Sequence, residues 1–458
     1  MYGATIKTQQ YTIRRKKGFI MNHDITNEVL TEFSTAFSSN PVNHIAMNAV
    51  TSAGLLAASK NPMAQRESRH SYSISLEQGE ITNQKQSGRC WMFAALNTFR
   101  FEVMKNLNLK TFELSQNYTL FYDKLEKSNY FLESILETLD EPTQGRLISF
   151  LLSAPLGDGG QWDMLCNLVR KYGVVPKEAM PETVASSATR EMTAALTRKL
   201  REDACRLRKA YADGSTLDEL RKKKEAMMEE IYRILCICLG EPPKTFDLEV
   251  TDKDDKFIRD TNLTGTAFFE KYVGLNLDDY VSLINAPTAD KPYHRSYSVK
   301  FLGNVKEGCP VRYLNLPIEE LKKAAIAQMK DSSPVWFGCD VGKDSSRDEG
   351  LLDTNTYQTD KLLGVTFGMN KAERLEYGES LMTHAMVFQG VNLDEEGKPN
   401  RWRVENSWGD APGKNGYYVM SDEWFDEYMF RLVVETKYAS SKIQEILKQK
   451  PIRLPAWD

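Results

Sequence analysis

Apolar residues recur at helical spacing near the start of the chain, with Val29, Leu30, Phe33 and Phe37 on one stripe of residues 25–38. Asn40-Pro41 interrupts that pattern, and 42–58 reads as a second short helix. Residues 90–106 form a mostly apolar run without Gly or Pro, beginning Cys-Trp-Met-Phe-Ala-Ala, which predicts a buried helix. Another is predicted over 161–172, closed by Gly173 and followed by Val174-Val175-Pro176. The stretch 187–240 is rich in Lys, Arg, Glu, Leu and Met, lacks proline and repeats at 3.6 residues. It predicts two amphipathic helices joined near Asp213-Gly214-Ser215 and ended at Gly240-Glu241-Pro242-Pro243, with the charges on solvated faces. A helix over 317–330 follows, and then the texture changes to strands at 335–341, 384–393, 401–406, 416–420 and 430–437. A helix-rich first part and a strand-rich end predict an α+β fold.

Composition narrows the class. At 458 residues the chain is long enough for two or three domains. With 27% charged and 10% aromatic residues it reads as globular. It has no run of 18 apolar residues, so no membrane partner is expected. A net charge of −4 gives no reason to expect nucleic acid. The seven cysteines are odd in number and irregular in spacing, with no CxxC pair, which speaks against a disulfide framework or a structural metal site. Residues 1–20 carry five basic residues and no acid, and without them the net charge would be −9. Lys16-Lys17-Gly18 can be encoded by a purine-rich stretch like a bacterial ribosome-binding site, so the expected native start is Met21, with 1–20 an overrun.

Chemistry concentrates in three places. Ser87-Gly88 makes a turn before the apolar helix, which puts Cys90 on its first turn, where free N–H groups and the helix dipole favour a thiolate. His384 opens an apolar run, and Asn406 ends a strand in Trp402-Arg403-Val404-Glu405-Asn406-Ser407-Trp408-Gly409. Taken singly, these read as a core cysteine, a core histidine and a turn residue. Together they occur in the order of a thiol nucleophile, its base and the group that orients the base.

With these residues the sequence resembles the papain-like cysteine peptidases. The Gln84-to-Cys90 spacing, Cys90-Trp91, His384-Ala385, Asn406-Ser407-Trp408-Gly409 and Asn415-Gly416-Tyr417 carry the likeness, as does Gly157-Asp158-Gly159-Gly160-Gln161-Trp162. Where the secreted enzymes pair two cysteines, this chain has Ser87 and Gly157, which fits a reducing compartment. His384 follows Cys90 by 294 residues, so roughly 150 residues are inserted relative to papain. Gln84 to Phe93, Gly159 to Leu165, Met227 to Ile231, Val335 to Val341, Gly378 to His384 and Pro455 to Asp458 extend the resemblance to the bleomycin hydrolase/aminopeptidase C branch from about residue 28 onward.

That resemblance implies a papain-like two-lobed core, a helical lobe plus a β-barrel-like lobe, with a large helical insertion. It divides the chain into an N-terminal extension (1–20), a helical arm (21–70), a helical catalytic lobe (71–186), a mainly helical insertion (187–310), a β-rich catalytic lobe (311–440) and a C-terminal arm (441–458). It implies a cytoplasmic, homohexameric, cofactor-free thiol aminopeptidase acting on peptides with a free N-terminus. Cys90 is the expected nucleophile, His384 the base and later acid, Asn406 the residue that positions the imidazole with Trp408 shielding the contact, and Gln84 the oxyanion donor. Gly159 and Gly160 are expected to pair with extended substrate. Asp458 is expected at the end of the arm that meets the substrate ammonium; family members usually continue several residues further, so a short arm would loosen exopeptidase restriction. The rival readings are a broader endopeptidase or amide hydrolase with the same triad, and a catalytically idle oligomeric binding protein.

Overall fold

The Ser87-Gly88 turn delivers the chain into a helix at Cys90 that runs to Asn106 in the computed structural model, which describes residues 24–76 and 79–458. The expectation about residues 1–20 and a start at Met21 lies outside the described residues. The Cys90–Asn106 helix is mostly apolar because it is surrounded: Trp91, Met92, Phe93, Ala95, Leu96, Phe99 and Val103 are all buried. The helices Gln116–Leu136 and Trp162–Tyr172 pack on it. Hydrophobic periodicity did not reveal Gln116–Leu136, and its buried residues explain why. They include Asn117, Asp123, Lys124, Glu126 and Lys127; Asn117, Lys124 and Glu126 find partners distant in sequence, and Asp123 and Lys127 pair with each other.

The two helices expected in 187–240 are Arg190–Ala212 and Leu217–Leu239. Thr216 and Glu219 form a capping box at the start of the second. Beyond Leu239 the stretch expected to be mainly helical, 187–310, is helical again at Gly265–Phe268, Phe269–Val273 and Leu277–Asp279 and also contributes strands. Phe246–Thr251 and Phe257–Leu263 make an antiparallel pair, and Tyr280–Ile284 and Arg295–Val299 enter the main sheet. Val281 and Leu283 of Tyr280–Ile284 belong to the second core, and Ser296, Tyr297 and Ser298 of Arg295–Val299 are buried.

At the centre of the main sheet, Met429–Glu435, Val335–Cys339, His384–Leu393, Pro399–Glu405 and Tyr417–Ser421 lie side by side in that order, all antiparallel. The central strands are apolar on both faces because each face meets a separate core. Trp336, Ala385, Val387 and Val433 join the helical core, while Phe337, Cys339, Met386, Phe388, Leu432 and Val434 join a second core with Trp402, Trp424 and Phe425. The register pairs His384 with Cys339.

The described chain forms two compact units. One holds the residues up to Lys60 together with Tyr357–Phe367; the other holds Asn61–Thr356 and Gly368–Asp458. In the first, the single helix expected over 42–58 is two, Pro41–Ala53 and Leu55–Ser59. Gly54 separates them at φ 85°, a backbone state that residues with a Cβ reach only under strain. Of the predicted stripe on Asn27–Ser38 only Val29 is buried; Leu30, Phe33 and Phe37 are exposed. Among the described residues no helix is long and apolar enough to cross a membrane.

Candidate active site

Cys90 is the first residue of its helix, and the preceding residue supplies no side-chain cap. The N–H groups of Met92 and Phe93 bond back to the Arg89 carbonyl, which leaves those of Cys90 and Trp91 to face the sulfur. The backbone N–H groups of Ala385, Trp91 and Cys90 all favour the thiolate, and the first of these follows His384 directly. The sulfur therefore sits where the helix start meets the strand that carries His384. Cys90 is half-buried, so it can be reached by substrate.

The tautomer of His384 follows from hydrogen-bond logic. Asn406 Oδ1 lies 2.9 Å from His384 Nε2 and also accepts the Ser407 backbone N–H at 2.8 Å. A backbone N–H can only donate, so that atom is the amide oxygen and His384 Nε2 must carry a proton. Nδ1 is left with its lone pair to take the proton of Cys90. The Trp408 ring lies 4.7 Å from the imidazole, centre to centre, and shields the His384–Asn406 contact.

Gln84 is held from both ends. Its Oε1 accepts the Ser407 hydroxyl at 2.7 Å, and its Nε2 donates to the Ser87 carbonyl at 2.7 Å. One amide hydrogen remains to join the Cys90 N–H on a developing oxyanion, a donor worth on the order of 3–4 kcal/mol. Ser407 thus positions two members of the site at once, Asn406 through its N–H and Gln84 through its hydroxyl. Sequence reasoning missed that role, since a serine after an asparagine carries no signal of its own.

The two cleft glycines differ. An added Cβ at Gly160 would lie 2.6 Å from the Trp91 ring, whereas Gly159 has open space around it. Among the described residues nothing bonds the backbone N–H or C=O of Gly160, while the Gly159 carbonyl takes Lys127 at 2.7 Å. Gly160 is therefore the position that can pair with extended substrate, and its side chain is excluded by the tryptophan next to the nucleophile. Replacing Gly160 by alanine is expected to push Trp91 aside and lower kcat/KM by about tenfold or more, with Gly159→Ala much milder; steady-state kinetics of the two variants check this. Trp91 is itself tied down, its Nε1 donating to the Asp158 carbonyl at 2.7 Å and its own carbonyl accepting Trp336 Nε1 at 3.0 Å.

Asp458 is not brought into this group. Its side chain pairs with Lys291 at 2.7 Å, and the neighbouring Trp457 lies under the Arg146 guanidinium at 4.0 Å. The expectation concerns the terminal carboxylate of the arm; the side chain of the same residue is committed to a lysine. Cys166 and Cys339 are buried and burial pushes both thiols up, as expected of core cysteines.

A model of the Peptidase C1-like family matches residues 24–458. The chain belongs to that family. It is 48% identical over 438 residues to Aminopeptidase C of Listeria monocytogenes, spanning 96% of this chain and 98% of the relative. It is 43% identical over 443 residues to human bleomycin hydrolase, spanning 95% and 97%. The crystal structure of PepW from Lactobacillus rhamnosis HN001 superposes with a TM-score of 0.94 at 50% identity, covering 95% of this chain and 98% of that one. The protein is a cysteine peptidase with a papain-like α+β fold.

In a Peptidase C1-like enzyme the ionisation of the thiol and the imidazole is the quantity that matters. Burial opposes a lone charge on either group. It lifts Cys90 above its ordinary value against the pull of the three N–H groups, and Asp158 adds to the rise. It lowers His384 to about 4, against the Asn406 hydrogen bond and with a further contribution from Arg347. A proton passing from Sγ to Nδ1 makes both charges in contact, so the pair ionises as a unit. The active form needs Nδ1 free of a solvent proton. Because the His384 pKa is lowered, that form persists as pH falls and is lost only near pH 4. The acid limb of kcat/KM is expected there; a limb near 6.5 would contradict this geometry.

Three further groups hold the site. Asp340 accepts Ser380 Oγ at 2.8 Å and Thr383 Oγ1 at 3.2 Å, fixing the segment that leads into His384. Beneath the glycines, Asp158 takes Lys124 Nζ at 2.6 Å and the Gly88 N–H at 3.0 Å. Burial works against the Asp158 carboxylate, but Lys124, Thr189 and Gly88 together hold it well below the usual range. Glu405, just before Asn406, accepts Arg100 at 2.6 Å and Asn97 at 2.8 Å from the catalytic helix, and Gln389 from the neighbouring strand. These partners stand tens to hundreds of residues apart, so sequence alone offered no sign of them.

Proposed function

We propose that the protein is an aminopeptidase that removes residues from the N-terminus of peptides through Cys90, His384 and Asn406. The observation that carries this is the tautomer imposed on His384, which leaves Nδ1 to activate Cys90 within a chain nearly half identical to proteins named Aminopeptidase C. In this reading His384 takes the thiol proton and Cys90 Sγ attacks the amide carbonyl. Gln84 and the Cys90 N–H bind the oxyanion. His384 then protonates the leaving amine, and water releases the acyl group from the sulfur.

The test compares an aminoacyl fluorogenic substrate with its N-blocked counterpart. Turnover of the free-amine form and loss of the blocked one support exopeptidase action. Equal rates would favour the broader endopeptidase or amide-hydrolase reading, and no thiol-dependent turnover of either would favour a binding protein.

The proposal extends to a homohexamer working in the cytoplasm. The apolar stripe of the N-terminal helix supports assembly, since Leu30 is 52% and Phe33 54% exposed, which is the kind of surface a second copy covers. Sedimentation velocity is expected to give a hexamer, and Phe33→Glu to dissociate it.

A further inference from the structure

Beside the imidazole lies a groove of about 850 Å³, lined by Asn83, Lys85, Gln86, Glu182, Arg347 and Trp408 among others. The chemistry of the site says which part of a substrate enters it. The leaving nitrogen must receive its proton from His384, so the chain beyond the scissile bond departs on the imidazole side of the sulfur. Trp408 lies tilted against that imidazole and lines the groove, while Gly160 and Trp91 stand together as the cleft's other feature.

The charge in this groove is unbalanced. The Arg347 guanidinium lies 4.8 Å above the Trp408 ring and, among the described residues, has no ion pair or hydrogen bond. Its field reaches the base, since it is one of the groups that disfavour a proton on His384. The nearest acid in the lining, Glu182, is already held by a two-pronged pair with Arg89, at 2.9 and 2.7 Å, and by Ser186 at 2.8 Å. A guanidinium placed over a tryptophan ring, with no other partner among the described residues, has N–H groups to offer in a two-pronged bond with a carboxylate.

We propose that Arg347, seated on Trp408, binds a carboxylate of the substrate on the leaving side of the scissile bond. This rests on the aminopeptidase reading. The carboxylate has two sources: the C-terminus of a di- or tripeptide, or an Asp or Glu side chain just beyond the bond that is cut. Either makes Arg347 a specificity residue rather than a catalytic one.

The experiment measures kcat/KM for two substrate pairs, Ala-Ala against Ala-Ala-amide and Ala-Glu-amide against Ala-Gln-amide. The enzymes are wild type, Arg347→Gln, Arg347→Lys and Arg347→Glu. Because Arg347 also acts on His384, the readout is the ratio within each pair, which cancels any change in the base. Wild type is expected to favour the charged member of at least one pair by roughly 3- to 10-fold, less at high salt. Arg347→Gln is expected to bring that ratio to about one, Arg347→Lys to keep part of it and Arg347→Glu to invert it. The responding pair identifies the source of the carboxylate. A wild-type ratio of one in both pairs, or a preference that survives Arg347→Gln, overturns the proposal. Failure of wild type to cut any of the four peptides overturns the aminopeptidase reading, and the subsite with it.

Discussion

Cys90→Ala is expected to lower kcat/KM by at least about 10³-fold without unfolding the protein. The side chain is half-buried at a helix start, so losing its sulfur opens no large cavity. The sulfur is, however, the atom the surrounding groups serve: N–H groups of Cys90, Trp91 and Ala385 face it, and the lone pair of His384 Nδ1 is reserved for its proton. Cys90→Ser should do nearly as badly, because a hydroxyl gives up its proton far less readily than a thiol. Fluorogenic assays, with circular dichroism as the fold control, check both variants. Residual activity above about a hundredth of wild type in the alanine variant would place the nucleophile elsewhere.

Glu405→Ala carries the largest expected cost in stability. Glu405 and Arg100 are almost fully buried and 2.6 Å apart. Burial raises the Glu405 pKa, and Arg100 and Gln389 oppose that rise. Removing the carboxylate strands the guanidinium, together with Asn97 and Gln389, in a site closed to water, at a cost of about 3–5 kcal/mol. Urea unfolding should show this as a lower midpoint. Activity should fall as well, because the network ties the catalytic helix to the strand end that presents Asn406. The double variant Arg100→Met with Glu405→Leu should recover part of the stability, since no buried charge remains unpaired. A loss below about 1 kcal/mol in the single variant would mean that water reaches the network.

The helices Cys90–Asn106, Trp162–Tyr172, Arg190–Ala212 and Leu217–Leu239 were legible because Gly, Pro and capping residues punctuate them. The strand His384–Leu393 was legible as an unbroken apolar run, for it is covered on both faces. Gln116–Leu136 was not, because its buried face is paved with charges. The strands Tyr280–Ile284 and Arg295–Val299 were also missed, short segments joined on one side by the three-residue strand Tyr313–Asn315 and on the other by strands far along the chain. The split at Gly54 depends on one backbone angle, which apolar spacing does not record.

The proposed nucleophile, base and orienting asparagine were legible from their order along the chain and from the family resemblance; taken singly, a thiol after a turn, a histidine at the head of a strand and an asparagine at the end of another are ordinary core or turn residues. The sequence by itself determined that a thiol, an imidazole and an amide stand in this order along the chain, because these are chemical identities fixed by residue type. What only the tertiary structure decided is how they are tuned. The tautomer of His384 depends on which atom of Asn406 also accepts the Ser407 N–H. The aim of Gln84 depends on a hydroxyl 323 residues away. The commitment of Asp458 to Lys291 depends on where the last strand docks. Hydrogen bonds and ion pairs of this kind act over about 3 Å in space, at sequence separations that no local pattern encodes.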